Sequence, residues 1–421
     1  MRDTRVSTLA NGLRVATDTM TSVETISIGV WVEAGSRFEP ATIGGASHFL
    51  EHMVFKGTRR RDARAIAEEI EAVGGHLNAH TSREYTAFYA KVLKDDLELA
   101  VDVIADILQN STLDDGELSR ERTVVIQEIM QSLDTPDDTI FDRFQETAFP
   151  DQPLGRPVLG APEMIQSISR DVLMGYMRQH YGAPQMILAA AGKVDHDQLV
   201  ALGEKAFSGL PRPVAALREP ARYRGGEWRE ERDLEQVHLV LGFEGLGYRD
   251  PDYYALSVLS TLLGGGMSSR LFQEAREKRG LVYSIYSFPA SYTDTGLFGI
   301  YAGTGERELH DLMPVIAEQV CDIAGSVGEA ELARAKAQIR SGVLMALEST
   351  SARCEQLARQ LMIFGHPISI EETMAKIAAV DNTAVARVAG RLLASEPTFA
   401  VLGPVAEAPP YEELVERLRV T

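Results

Sequence analysis

Cysteine is nearly missing: Cys321 and Cys354 are the only two in 421 residues. Two thiols cannot build a disulfide framework, and alone they cannot complete a structural zinc site. Basic charge is also short. Lys and Arg number 42 against 61 Asp and Glu, a formal charge of −19. Such a chain repels a phosphate backbone, which excludes nucleic acid as a partner and favours neutral or basic ones. No long apolar run is present either. The longest uncharged stretch of note, Tyr253–Ser269, is short for a bilayer and carries Gly264, Gly265 and Gly266, so no membrane span is expected. The N-terminal residues mix acids with arginines, unlike a secretory signal. What remains is ordinary, 45% hydrophobic and 24% charged, and reads as a soluble cytoplasmic chain of two or three domains.

An internal repeat organises the chain. Ile26–Glu33 and Val237–Glu244 are alternating apolar segments ending in Glu, each followed seven residues later by Pro40 or Pro251, at an offset of 211. Glu117-Leu-Ser-Arg120 matches Glu331-Leu-Ala-Arg334, and Leu133 matches Leu347, at an offset of 214. Glu71–Gly75 likewise resembles Arg276–Gly280. Strands are expected over Thr25–Glu33, Tyr85–Val92, Met186–Ala191, Val237–Phe243 and Leu297–Ala302. Helices are expected over Ala46–Phe55, Ala63–Val73, Asp95–Gln109, Asp115–Ser132, Tyr253–Leu263, Leu309–Val327 and Glu329–Glu348. The fold class is therefore α+β, with two homologous layered sheet-plus-helix domains over residues 1–210 and 228–421. The Pro- and Arg-rich stretch 211–227 reads as their linker.

The two halves differ in chemistry. His48, Glu51 and His52 fall on Leu259, Leu262 and Leu263, while Glu121 and Glu128 fall on Ala335 and Gly342. All five polar groups are lost in the second half, so the first half carries the function.

His48-Phe-Leu-Glu51-His52 is the H-x-x-E-H pattern. On a helix His52 lies about 40° from His48, and Glu51 about 60° to the other side, so all three share a face. Two histidines can grip one zinc ion, which needs a third ligand and an open water position to catalyse hydrolysis. Glu128 is a good third ligand. It lies seven residues beyond Glu121 in a helical stretch, so both point to one face, one to bind the metal and the other to steady a ligand. Glu51 is then left as general base, taking a proton from the water that attacks a carbonyl. A polar helix face with two incidental histidines is the bland alternative. The apolar continuation Met53-Val54-Phe55 and the loss of the pattern in the repeat weigh against it.

His76 and His80 form a rival pair four apart, but Gly74 and Gly75 precede them and no carboxylate is placed as a base, so a surface strand is expected. Gly264-Gly-Gly266 lacks a following Gly-Lys-Ser/Thr, which excludes a phosphate loop.

With these motifs the chain resembles the pitrilysin family of inverted-motif zinc metallopeptidases, closest to the branch of the mitochondrial processing peptidase beta subunit and its bacterial relatives. The likeness covers essentially the whole chain, including the 75 residues between His52 and Glu128. It implies one Zn2+ per chain held by His48, His52 and Glu128, with Glu51 as base and Glu121 as a further acid of the site. It implies that Asn78, Ala79, His80 and Thr81 form an edge strand on which an extended peptide is laid, in keeping with strand addition. Arg276 and Tyr283 match a pair, seven apart, that family members bring to the substrate from the opposite domain. There Tyr283 serves the oxyanion and Arg276 a substrate carbonyl. A solvated helix charge and an ordinary sheet aromatic are the plain alternatives for the two.

The expectation is a zinc endopeptidase that hydrolyses unfolded or extended peptides inside an enclosed cavity. Long members of the family hold four such domains and this chain has two, so a homodimer is expected. A heterodimer with a related subunit is the alternative, as is a noncatalytic or partner-dependent subunit of a processing peptidase. The acidic charge suggests a preference for basic peptides. A bacterial cytoplasm is favoured over the mitochondrial matrix, since no Arg/Ser-rich presequence is visible.

Overall fold

The computed structural model describes residues 3–213 and 218–419. Residues 214–217 of the expected linker, and the outermost two residues at each chain end, lie outside the described residues. Six strands form a first sheet: β1 (Asp3–Thr8), β2 (Arg14–Thr19), β3 (Thr25–Val32), β4 (His76–Thr81), β5 (Thr86–Leu93) and β6 (Met186–Gly192), in the order β1-β2-β6-β3-β5-β4. Five form a second: β7 (Gly226–Glu231), β8 (Val237–Gly245), β9 (Val282–Ser291), β10 (Gly296–Thr304) and β11 (Thr398–Gly403), in the order β7-β11-β8-β10-β9.

Without β1 the two orders coincide, with β2 matching β7, β6 matching β11, β3 matching β8, β5 matching β10 and β4 matching β9. Directions coincide too: β2–β6 and β7–β11 are parallel, and the remaining matched junctions are antiparallel. The duplication read from sequence offsets reappears as topology, and the α+β class holds. β6 is buried at every position, as a central strand covered on both faces must be.

The first half supplies helices α1 (Ala46–Val54), α2 (Ala63–Glu71), α3 (Leu97–Asn110), α4 (Asp115–Asp134) and α5 (Pro136–Ala148). All the expected strands and helices are present. The largest shift is in the helix expected over Leu309–Val327, which runs Glu306–Asp322 and ends ahead of Gly325. No helix among the described residues is long and apolar enough to cross a membrane.

The chain divides into two compact units that do not follow its halves. One gathers the described residues of Met1–Gln131, Arg156–Glu219 and Met345–Pro367; the other gathers those of Ser132–Gly155, Pro220–Leu344 and Ile368–Thr421. The exchange is reciprocal. Ile140, Phe144 and Ala148 of α5, from the first half, are buried on the second sheet with Val240, Leu297 and Ala400. Helix Thr350–Phe364, from the second half, buries Cys354, Leu357, Ala358 and Leu361 on the first sheet with Ala16, Trp31, Ile187 and Ala189. The two exchanged helices are themselves repeat counterparts, since 136 + 214 = 350. A cut at 211–227 alone does not capture these segments. Each exchanged segment begins inside a long helix, α4 or Glu329–Ala346, and ends at Gly155 or Pro367, and a helix that runs on through the crossing hides where it begins.

Candidate metal centre

α1 starts where only glycine fits. Gly45 has φ +92°, and a Cβ on it would lie 2.6 Å from Leu159 O. The amides of Gly45 and Ser47 donate to the Glu39 carboxylate at 2.7 and 2.6 Å, satisfying donors that a helix start leaves without partners. Glu39 is buried. Burial pushes its carboxyl up to about 7, against the lowering effect of its bonds to Ser47 and Gly45. Beyond this anchored end α1 has two faces. Phe49, Leu50, Met53 and Val54 are fully buried in the core, and His48, Glu51 and His52 occupy the opposite, partly exposed side.

α4 brings the carboxylates. Leu118, Val125 and Ile129 are buried in the core and set the helix's rotation, which turns Glu121 and Glu128 toward α1. Glu128 Oε2 lies 3.4 Å from His52 Nε2 and 3.7 Å from His48 Nε2. The three ligand atoms all fall within 4.8 Å of one another. A tetrahedral ion with bonds of about 2.1 Å separates its ligand atoms by about 3.4 Å, so the set has metal-binding dimensions without being a hydrogen-bonded cluster. Burial, and then the neighbouring His52, pushes the His48 imidazole down to about 4, which keeps it neutral as a ligand requires.

Glu121 does not join that set. It is buried and sits 3.2 Å from His52 Nδ1, and its other oxygen receives the Lys56 ammonium at 2.7 Å. A carboxylate on Nδ1 fixes the tautomer that leaves Nε2 free for a metal. Lys56 was not picked out from the sequence: it lies just past the end of α1 and meets Glu121 only because α1 and α4 come together in the fold.

Glu51 meets β4. Thr81 Oγ1 donates to Glu51 Oε2 at 2.5 Å. Burial raises the Glu51 carboxyl, and the Thr81 bond opposes that rise. The four residues expected to act together as an edge strand are divided by the pleat. β4 is indeed an edge strand, paired on one side with β5. Leu77 and Ala79 pack against the α1 side of the core, and Thr81 points the same way. His80 turns to the other face, against the rings of Tyr85 and Tyr89 at 5.5 and 5.8 Å. The Ala79 amide is bonded by Asn78 Oδ1 at 2.8 Å.

Arg276 and Tyr283 belong to the second unit, and each sits at a break in regular backbone. Arg276 lies in a π-helical turn, Phe272–Glu277, where Lys278 N bonds Gln273 O at 3.0 Å. Its guanidinium is 4.7 Å from the Phe272 ring centroid. Tyr283 is the extra residue of a β-bulge: Val282 faces Thr304 and Ser284 faces Gly303, leaving Tyr283 without a cross-strand partner. It is 75% exposed. Both irregularities are devices that re-aim a side chain and concentrate at functional sites.

Comparison with known proteins bears on this site. A family model described as Insulinase (Peptidase family M16) matches residues 14–162, and one described as Peptidase M16 inactive domain matches residues 167–339. The chain is 40% identical over 400 residues to an "Uncharacterized zinc protease" of Rickettsia felis, covering 95% of this chain and 97% of that one. It is 41% identical over 431 residues to a "Probable mitochondrial-processing peptidase subunit beta, mitochondrial" of Arabidopsis thaliana, covering 99% of this chain and 81% of that one. In fold it is similar to a solved protease from Helicobacter pylori, with TM-score 0.89, 24% identity, and coverage of 96% of this chain and 100% of that one.

Proposed function

The chain belongs to the pitrilysin family, peptidase family M16, and on that premise we propose that it is a zinc-dependent endopeptidase acting on unfolded or extended peptides. The observation that carries the reading is the convergence of His48 Nε2, His52 Nε2 and Glu128 Oε2 beside a half-buried Glu51. The donor set, two imidazoles and one carboxylate, suits zinc. Zinc, when bound, supplies Lewis-acid polarisation of the scissile carbonyl and of a water molecule.

The chain's own residues do the rest. Glu51 takes the proton of the attacking water as its oxygen bonds the carbonyl carbon, and passes that proton to the amine nitrogen as the C–N bond breaks. Glu121, with Lys56 behind it, orients His52 through Nδ1. The β4 edge offers main-chain groups to an extended substrate whatever its side chains. Arg276 holds a substrate carbonyl and Tyr283 donates to the developing oxyanion, roles that their re-aimed backbone supports. A homodimer enclosing a cavity, with one zinc per chain, would limit substrates to unfolded segments. The likeness to a processing-peptidase subunit favours a second reading, a chain that needs a different partner for activity.

The test is hydrolysis of a mixed pool of quenched peptides by the zinc-loaded chain beside Glu51→Gln, with light scattering on the same samples. The variant should keep zinc and lose about 10²- to 10⁴-fold in rate. Cleavage undiminished in the variant sinks the assignment of the base. No cleavage by either chain with zinc bound moves the reading to the partner-dependent subunit, and a fully active monomer refutes the dimer.

A further inference from the structure

We propose that Thr81 is a positioning residue for Glu51, its hydroxyl holding the carboxylate in the orientation from which it receives the proton of the attacking water. The inference rests on the reading of Glu51 as base. Thr81 Oγ1 reaches Glu51 Oε2 at 2.5 Å, the length of a strong O–H···O⁻ bond. The donor is itself fixed. Thr81 faces Thr86 directly across the β4–β5 ladder, and Thr86 is fully buried. Thr86 Oγ1 donates to Ala34 O at 2.8 Å and lies 3.4 Å from Thr81 Oγ1. A β-branched side chain in a strand, backed by such a neighbour, has little rotamer freedom to lose.

The pleat supplies a second argument. On the α1 face of β4 the strand presents Leu77, Ala79 and Thr81, and the first two pack against the apolar core. Thr81 is therefore the one polar side chain of that face, at the position that meets Glu51. A substrate strand added to β4 would be held by main-chain groups and would not require a hydroxyl there. A valine keeps the β-branched shape and removes only the hydroxyl. The Thr81 backbone also bonds the carboxylate and is kept in a valine, so the hydroxyl is the one contact the substitution removes, and groups so held support reactive residues at an ångström's tolerance.

The experiment uses the zinc-loaded full chain with Thr81→Val and Thr81→Ser. For a quenched peptide, T81V should lose about 10- to 100-fold in kcat, with KM within about twofold of the parent, because a displaced base costs rate and not binding. T81S, which keeps the donor, should stay within about threefold in kcat. In an E51Q background T81V should leave peptide affinity within about twofold, read by fluorescence anisotropy, and zinc content should be one per chain throughout. Crystal structures should show the Thr81–Glu51 bond in the parent and a rotated carboxylate in T81V.

Four outcomes overturn the proposal. These are T81V with parental kcat; a loss carried by KM and by affinity in the E51Q background; T81S as slow as T81V; and T81V that loses zinc or fold. A parent that binds zinc and peptide without cleaving sinks the base reading instead. In that case the crystal structures alone decide, and an unmoved Glu51 carboxylate in T81V overturns the positioning role.

Discussion

α1 and helix Tyr253–Gly264 occupy corresponding places in two sheets of the same topology, yet one carries His48, Glu51 and His52 where the other carries Leu259, Leu262 and Leu263. Those leucines are 1%, 3% and 0% exposed, part of a continuous core in their unit. The same helix position can therefore be filled entirely with apolar groups, at a gain in buried surface. In the first unit that gain is forgone, and burial instead pushes His48 down and Glu51 up. A local rule broken in one copy and obeyed in the other marks the place where selection acted on chemistry and not on packing.

Rewriting α1 in the letters of its counterpart breaks this contrast most completely. The triple variant H48L/E51L/H52L should hold less than about a tenth of an equivalent of zinc and show no peptide hydrolysis, since only one of three ligands survives. Its melting temperature should equal or exceed that of the zinc-free parent, because apolar groups replace partly desolvated polar ones. Elemental analysis and calorimetry read both quantities. Parental zinc content would move the metal away from α1, and a lower melting temperature would show that the polar face costs no stability.

The exchanged helices offer the next contrast, for here the two units behave alike. Phe144 of α5 packs so closely on the second sheet that a Cβ at Gly242 would lie 2.4 Å from its ring. Leu357 of helix Thr350–Phe364 is 1% exposed on the first sheet. Urea unfolding should show losses of about 3–5 kcal/mol for Phe144→Ala and about 2–5 kcal/mol for Leu357→Ala. A loss below about 1 kcal/mol in either would make that helix a peripheral strap and not the cover of a sheet face.

What could be read beforehand, and what could not, follows from how local each signal is. His48, Glu51 and His52 declare themselves through helical spacing within five residues, and Glu121 and Glu128 through spacing over two turns. The repeat was legible because two long alternating segments and two long helices each recur at a fixed offset. The reciprocal exchange was not. Its entry crossings lie inside long helices, and neither of the exchanged helices was among those expected. β1, β2, β7, β9 and β11 were not among the expected strands; β1 is an edge strand with an irregular burial pattern, so its sequence does not alternate cleanly. The π-turn at Arg276 and the bulge at Tyr283 arise from long-range strand pairing and from amide bonds such as Leu281 N to Ala275 O at 2.8 Å. No residue type announces either. The division of Asn78 and His80 from Ala79 and Thr81 was available from strand alternation alone, once the four were read singly and not as one edge.

The smallest expected effect sharpens the comparison at the entry to the two helices, where Glu39 in one half corresponds to Asp250 in the other. Glu39 is buried on helix amides, with the Arg156 guanidinium bonded to its backbone carbonyl, and burial pushes its carboxyl up to about 7 against the lowering effect of those amides and of Arg156. Asp250 is paired with Arg391 at 2.7 Å, and that bond holds it below the usual carboxylate range. The signs are opposite. A raised folded value means that Glu39 binds its proton more tightly when folded, so its contribution is present in acid below about pH 4.5 and is lost as pH rises toward 7, by about 3 kcal/mol at most. A lowered folded value means that Asp250 contributes stability at neutral pH, which is lost as pH falls through its folded value. Urea unfolding against pH, with a chelator present so that zinc release plays no part, should show a shallower decline from pH 4.5 to 7 in Glu39→Gln. Asp250→Asn should instead flatten only the acid limb. If both variants alter the same limb, the two acids do the same work in the two halves, and the divergence is confined to the metal-binding face.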